Sequence, residues 1–65
     1  MYRNNMAIMR YLMYLEYVTI QTYDGSIFEG DIVRVEDSYC VIDDVSAFED
    51  MVVIHYSDII GVAGR

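Results

Sequence analysis

The side chains that could take part in chemistry are few, and most lie in the second half of the chain. His55, Ser57 and Asp58 offer a base, a nucleophile and a carboxylate close together. Residues so near each other in one turn rarely converge as nucleophile, base and orienting acid, so their spacing does not indicate a catalytic triad. The remaining carboxylates are scattered over turns. We therefore expect a protein that is not an enzyme.

Aromatic and imidazole side chains could instead contact a nucleic acid. Tyr39 and Tyr56 could stack on nucleobases, an interaction worth roughly 1–3 kcal/mol per base. His55 could donate a hydrogen bond to a base or a phosphate. The alternative is purely structural, with the tyrosines as ordinary strand aromatics and His55 as a polar residue that ends a strand. Both interpretations remain open, and the structural one is favoured for Tyr56.

Metal and disulfide chemistry are not indicated. Cys40 is the only cysteine, and one cysteine with one histidine provides too few ligands for a structural zinc site. Cys40 is most simply a small buried hydrophobic residue. Asp43, Asp44, Glu49 and Asp50 lack the alternating spacing of a calcium loop, so a solvated acidic rim is favoured over weak cation binding. We expect no cofactor.

The charge of the chain limits its partners. The net charge is −7, and the chain contains no lysine. Phosphates are normally contacted by lysine and arginine, so a general polyanion-binding protein is not expected. Only Arg3, Arg10, Arg34 and Arg65 could offset the repulsion. RNA binding would therefore depend on stacking and hydrogen bonds, with Arg3 and Arg10 lining the face that carries the helix.

The sequence predicts a single domain that covers residues 1–65. Its first predicted element is a helix over residues 4–16. Apolar residues recur at helical spacing and cover a broad arc. A helix that covers one sheet needs an apolar stripe of only about 100°, so the surplus implies a neighbouring subunit. Arg10 interrupts the segment, which is well short of the ~20 residues that span a membrane. With a free cysteine, this predicts a cytoplasmic protein.

Five strands are predicted after the helix. Asp24 and Gly25 stand between alternating apolar residues, which predicts a hairpin with a type I′ turn. Turn and polar residues separate the later strands. The predicted strands cover residues 17–23, 26–36, 39–43, 51–56 and 59–63.

The second strand is predicted to bend. Gly30 lies inside it, and the apolar spacing slips there: Phe28 and Ile32 fall on one face, Val33 and Val35 on the other. Such a slip beside a glycine lets a strand turn a barrel corner. The predicted fold is therefore mainly β, an N-terminal helix followed by a five-stranded, strongly bent antiparallel SH3-like barrel.

The last two strands predict self-association. Residues 51–54 and residues 59 and 60 are continuously apolar, which favours burial on both faces. These strands lack the lysine or proline that usually protects a sheet edge. We expect the fifth strand of one copy to pair with the fourth strand of the next, a heterologous contact that can close into a ring. A 65-residue chain without a disulfide or metal also favours oligomerisation.

This pattern resembles the Sm/LSm proteins, including their bacterial Hfq-type relatives, over nearly the whole chain. Their first motif is similar to G-x-x-Φ-x-G-x-Φ-x-x-Φ-D, where Φ is apolar. The matching residues here are Gly25, Phe28, Gly30, Ile32 and Val35, with Glu36 replacing the aspartate. The second motif, V-Y-K-H-A-I-S in Hfq-type chains, resembles residues 52–58. The resemblance implies an Sm-like fold and a homo-oligomeric ring of five to seven subunits that binds single-stranded RNA around its pore.

The resemblance also implies where RNA would bind, in the turns at residues 36–40 and 55–57. With the two N-terminal arginines, the candidate RNA-binding residues are Glu36, Asp37, Ser38, Tyr39, Cys40, His55, Tyr56, Ser57, Arg3 and Arg10. Besides Glu36, three positions depart from the family. Cys40 replaces an asparagine that contacts a base, Ser38 replaces a stacking aromatic with Tyr39 one place along, and Ile54 replaces a lysine. Uridine specificity is therefore not expected.

Two functions remain open. The first is a ring that binds single-stranded RNA without catalysis, as an RNA chaperone or 3′-end binder. The second is an acidic ring that serves as a protein-interaction or structural module and has lost RNA binding.

Overall fold

The computed structural model describes residues 5–45 and 51–65, which form one helix and one β-sheet. The helix α1 comes first and five strands follow, with a 3₁₀ turn, Tyr56–Asp58, between the last two. The bounds are α1 Asn5–Met13, β1 Tyr17–Thr22, β2 Ile27–Val35, β3 Tyr39–Asp44, β4 Met51–His55 and β5 Ile59–Gly64. The predicted mainly β class and the helix-first order are confirmed.

The strands form a single antiparallel sheet in the order β4-β3-β2-β1-β5. Each hairpin-connected pair is adjacent, and β5 returns to lie beside β1. Strands β4 and β5 are therefore the two edges, and the sheet is not closed. The antiparallel sheet is confirmed, whereas a closed barrel is not.

The helix α1 is shorter than the predicted residues 4–16 because the chain after it bonds to the sheet. Leu15 N–H donates to the Leu12 carbonyl, a tightened last turn. Glu16 then donates to the Arg65 carbonyl at 2.7 Å and accepts from Ile32 N–H at 2.9 Å. These partners lie far along the chain, so helical periodicity alone could not place the end of α1.

The β1–β2 hairpin forms at Asp24 and Gly25 as predicted, but the turn is not type I′. Gly25 N–H donates to the Thr22 carbonyl at 3.0 Å, and Thr22 N–H donates to the Ser26 carbonyl at 3.0 Å. Only Gly25 has a positive φ, +88°, among the described residues. This is a three-residue loop with Gly25 in the left-handed region, as in a turn followed by a glycine bulge. The Asp24 carboxylate accepts from Thr22 Oγ1 and Ser26 N–H, which supports that geometry.

The slip in β2 occurs at Val33 and not at Gly30. Ile32 pairs with Ile42 and Val35 with Cys40, so one extra residue lies between them. The bulge places Ile32 and Val35 together against the core and leaves Val33 half exposed. The prediction that Ile32 and Val35 occupy opposite faces is therefore wrong.

Gly30 does not mark the bulge; instead it allows the close approach of two strands. A Cβ added there would lie 1.8 Å from the carbonyl oxygen of Asp43. No side chain fits at that distance, so β2 and β3 can approach this closely only because residue 30 is a glycine.

The core lies on one face of the bent sheet, beneath α1. Alternate residues of β1 and β3 point into it, as the two-residue period of a strand requires. Its buried apolar members are Leu12, Val18, Ile20, Cys40, Ile42, Ile54, Tyr56 and Ile59. Asp44 follows the same alternation and is 4% exposed, so it does not belong to a solvated acidic rim. Glu49 and Asp50 lie outside the described residues.

The edge strands are covered on only one face within a single chain. In β4, Ile54 is buried, whereas Met51 and Val53 are 53% and 55% exposed. In β5, a register shift opposite Thr22 places Ile59 in the core and leaves Ile60 exposed. Within a single chain the prediction of burial on both faces is therefore wrong, because the outer-face side chains of the two strands are about half exposed.

Within residues 5–45 and 51–65, no helix is long and apolar enough to cross a membrane.

Candidate functional site

The two turns expected to contact RNA are joined by hydrogen bonds. Tyr56 N–H donates to the Ser38 carbonyl at 3.0 Å, and the Tyr56 hydroxyl donates to the Glu36 carbonyl at 2.5 Å. Glu36 N–H donates in turn to the Tyr39 carbonyl at 2.9 Å, which closes the β2–β3 turn. Residues 36–40 and 55–57 therefore lie side by side at the same end of the sheet.

An aromatic pair lies at this end of the sheet. Tyr39 and His55 are cross-strand neighbours in the β3–β4 ladder. Their ring centroids are 5.9 Å apart and the planes are tilted by 55°, within the usual range for interacting rings. Cys40 and Ile54, the next pair along, point into the core, so Tyr39 and His55 lie on the outer face. His55 is exposed and Tyr39 half-buried, which leaves both rings accessible to a ligand.

The hydroxyl-bearing residues of the turns border this pair. Ser38 and Ser57 are exposed, as is Asp37, and Glu36 is half-buried. Serine hydroxyls can donate to or accept from a base or a sugar. The serines therefore add polar contacts beside the Tyr39–His55 pair.

Two of the candidate side chains are in the core and are not offered to a ligand. Cys40 and Tyr56 are both 0% exposed. Burial raises the pKa of the Cys40 thiol to about 11, so the group is neutral and unreactive at physiological pH. Burial also raises the pKa of Tyr56 to about 12, which keeps its hydroxyl a donor to Glu36. Cys40 is a packing residue, as one interpretation of the sequence held, and Tyr56 positions the site without offering a stacking face.

The charges around the pair are mainly negative. The guanidinium of Arg34 lies 2.5 Å from the Glu36 carboxylate, and that hydrogen bond raises the pKa of Arg34 further above its ordinary value. Exposed Asp37 adds a negative charge to the same turn. Arg34 is thus already paired, and the turn carries a net negative charge.

The N-terminal arginines are only partly placed. Arg10 is exposed on α1, which packs against β2 and the 3₁₀ turn. Arg3 lies outside the described residues.

Sequence reasoning missed the positioning hydrogen bond of Tyr56 and the pairing of Arg34. The second had a signal, because residues two apart on a strand share a face and Arg34 is two positions from Glu36. The first had none, since its partner lies 20 residues earlier in the chain.

Among the described residues, no group of three or more histidine, cysteine, aspartate or glutamate side chains could hold a metal ion. No known protein family, curated protein or solved structure significantly matches this chain.

Proposed function

We propose that this chain is a non-catalytic Sm-like subunit that assembles into a cytoplasmic ring and binds single-stranded RNA, as an RNA chaperone or 3′-end binder. This proposal rests on one observation. Tyr56 holds residues 36–40 and 55–57 together by hydrogen bonds, next to the accessible Tyr39–His55 pair. Two turns of different origin meet at one surface that offers aromatic rings and hydroxyl groups.

The edges of the sheet support assembly of the ring. Strands β4 and β5 are the two edges of the sheet, so one copy can pair β5 with β4 of the next and still present a free edge. Those edges carry exposed apolar side chains, namely Met51, Val53 and Ile60. Burying them between copies would supply apolar contacts that a 65-residue chain lacks. A ring of five to seven subunits would place the turns of successive copies around one pore.

RNA would be held by stacking and hydrogen bonds rather than by charge. Tyr39 offers a ring face to a base, and His55 and Ser57 offer donors close by. A chain of net charge −7 repels phosphates at long range, and Arg34 is already paired with Glu36. We therefore expect weak affinity for random RNA and a slow loss of affinity as salt is added.

The second candidate function is an acidic ring that recruits a basic protein and does not bind RNA. The net negative charge favours this function. Beside the aromatic pair, Asp37 is exposed, and the positive charge of Arg34 is offset by its ion pair with Glu36. The two functions differ in whether Tyr39 contacts a base.

Fluorescence anisotropy with labelled oligo-U and oligo-A separates the two functions. We expect binding at micromolar protein in low salt, weakened about tenfold or more by Tyr39→Ala because a stacked base is lost. Tyr14→Ala is the matched control, since Tyr14 follows α1, is 88% exposed and is not one of the candidate site residues, so its loss should have no effect.

Absence of binding by the intact ring would rule out the RNA function and favour the protein-interaction module. Equal losses for Tyr39→Ala and Tyr14→Ala would leave RNA binding standing but would contradict the site.

A further inference from the structure

A cavity lies between the tip of the β1–β2 hairpin and strand β4, separate from the Tyr39–His55 pair. Its volume is about 310 Å³. The lining residues are Thr22, Tyr23, Asp24, Phe28, Val53, Ile54 and Asp58. Tyr23 N–H donates to the Asp58 carbonyl at 2.9 Å, which holds the hairpin tip against the 3₁₀ turn. We refer to this space as the hairpin cavity.

The lining of the hairpin cavity combines apolar walls, aromatic rings and negative charge. Phe28, Val53 and Ile54 contribute apolar surface, and Tyr23 adds a second aromatic ring. Asp24 and Asp58 are the acidic residues of the lining, and none of the described lining residues is basic. Aromatic rings attract cations through their faces, and carboxylates form charge-assisted hydrogen bonds with them. The complementary ligand is therefore a cation with an apolar stem.

One of these carboxylates is fixed in position and remains charged. Asp24 Oδ1 accepts from the Thr22 hydroxyl at 2.5 Å and from Ser26 N–H at 3.0 Å. These hydrogen bonds hold the pKa of Asp24 below its ordinary value. The hairpin cavity thus keeps a negative charge at every physiological pH, at a position set by the turn.

We propose that the hairpin cavity binds an arginine side chain of a basic protein partner. A guanidinium is planar, stacks on aromatic rings and donates several hydrogen bonds to carboxylates, whereas a lysine ammonium is a compact point charge. About 310 Å³ is at the lower end of ligand-site volumes, which suits one long side chain rather than a large ligand. The net charge of −7 would also steer a basic partner towards this chain.

This inference is independent of RNA binding. Asp24 and Asp58 lie in the hairpin turn and the 3₁₀ turn, outside strand β4. Val53 of β4 lines the hairpin cavity and is also part of the proposed contact between copies, whereas the two acidic residues lie outside that strand.

An NMR titration of the full-length ¹⁵N-labelled chain tests the proposal. The probe is a short peptide with one arginine between glycines, compared with the same peptide carrying citrulline or lysine. Citrulline preserves the shape of arginine and lacks its charge. We expect the arginine peptide to shift the amide signals of residues 23–26 and 58, to bind more tightly than the lysine peptide, and to bind at least about tenfold more tightly than the citrulline peptide.

Variants locate the binding. Asp58→Asn keeps the side-chain shape and should weaken the arginine peptide about tenfold, because one charge-assisted contact is lost. Asp24→Asn should act in the same direction while retaining an acceptor for the turn. Asp31→Asn is the matched control, since it removes one exposed carboxylate of β2 outside the hairpin cavity and should leave affinity within about twofold.

Three results would overturn the proposal. These are equal binding of the arginine and citrulline peptides, a loss from Asp31→Asn as large as that from Asp58→Asn, or shifts confined to Tyr39 and His55. The amide spectrum of each variant also reports whether it is folded. If Asp24→Asn disturbs the turn, Asp58→Asn alone decides the matter.

Discussion

The hydroxyl of Tyr56 donates a hydrogen bond to the carbonyl oxygen of Glu36, 20 residues earlier in the chain. Tyr56 begins the 3₁₀ turn that follows β4, and Glu36 is the first residue of the turn that follows β2. The backbone N–H of Tyr56 bonds to Ser38 of the same turn. A single core tyrosine therefore fixes the relative position of the two segments that form the candidate site.

Tyr56→Phe should lower the free energy of unfolding by about 1 kcal/mol, since it deletes one hydrogen bond and preserves the packing of the ring. RNA affinity should fall too, because the two turns lose one of their connections. Urea denaturation measures the first effect and anisotropy the second. Tyr14→Phe, which alters an exposed hydroxyl, should change neither. Identical stability of both variants and the wild-type chain would show that the Tyr56 hydroxyl contributes nothing.

Stability should decline in alkaline solution. Burial raises the pKa of Cys40 from 9.0 to about 11 and that of Tyr56 from 10.0 to about 12. The folded chain thus keeps protons that the unfolded chain releases, so this stabilisation is complete below pH 9 and is lost as the pH rises towards 12. Urea midpoints measured across this range should fall steadily. Cys40→Ala should remove the part of the fall that begins near pH 9, and an unchanged profile would contradict the assignment.

Gly30→Ala should prevent folding or cost more than about 3 kcal/mol, because the added methyl group would meet the backbone of β3. Gly61→Ala is the matched control. A Cβ at Gly61 would lie 3.9 Å from the nearest atom, the Oε1 of Gln21, and should be tolerated within about 1 kcal/mol. Thermal or urea unfolding of the two variants checks the difference. Similar costs would mean that β2 and β3 do not approach as closely as described.

The elements of the fold could be predicted from local sequence signals. Alternating apolar residues and the Asp24-Gly25 pair were enough to place the β1–β2 hairpin. The dipeptide did not determine the turn type, because a type I′ turn needs a positive φ at both residues. Asp24 has a negative φ, and only Gly25 adopts a positive one. The slip in β2 was visible too, but its position at Val33 depends on pairing with β3 and not on the nearby glycine.

Long-range contacts decided what the sequence could not. The end of α1 depends on bonds between Glu16 and residues of β2 and the C-terminal end. The spacing of Tyr39 and Tyr56 likewise did not predict which ring is buried. Moving a residue by one position along a strand reverses the face on which its side chain lies, and here Tyr39 is on the outer face and Tyr56 in the core. The two turns that the resemblance singled out do lie side by side, whereas which of their side chains are exposed was not predictable from the sequence.

RNA binding should depend weakly on salt. For single strands, log K falls with log salt at a slope of about −0.7 per neutralised phosphate. With Arg34 paired to Glu36, we expect about one phosphate contact or fewer and a slope shallower than about −1. Anisotropy titrations between low and moderate salt give the slope. A steep negative slope would indicate a basic surface and contradict binding by stacking.

A charge on the outer face of an edge strand should disrupt assembly. Val53→Lys places an ammonium on β4, where a neighbouring copy is expected to pack. Val33→Lys is the matched control, because Val33 is 50% exposed on the central strand β2 and Val53 is 55% exposed on the edge. Light scattering should show smaller particles for Val53→Lys alone. Equal behaviour of the two variants would indicate that β4 is not an interface.

The native mass of the unmodified chain tests the ring most directly. Native mass spectrometry or light scattering should give one species at five to seven times the 7.6 kDa chain mass, unchanged by moderate dilution. A monomer of 7.6 kDa at micromolar concentration would contradict the account, because β4 and β5 would then be free edges and the candidate RNA site would have no pore to surround.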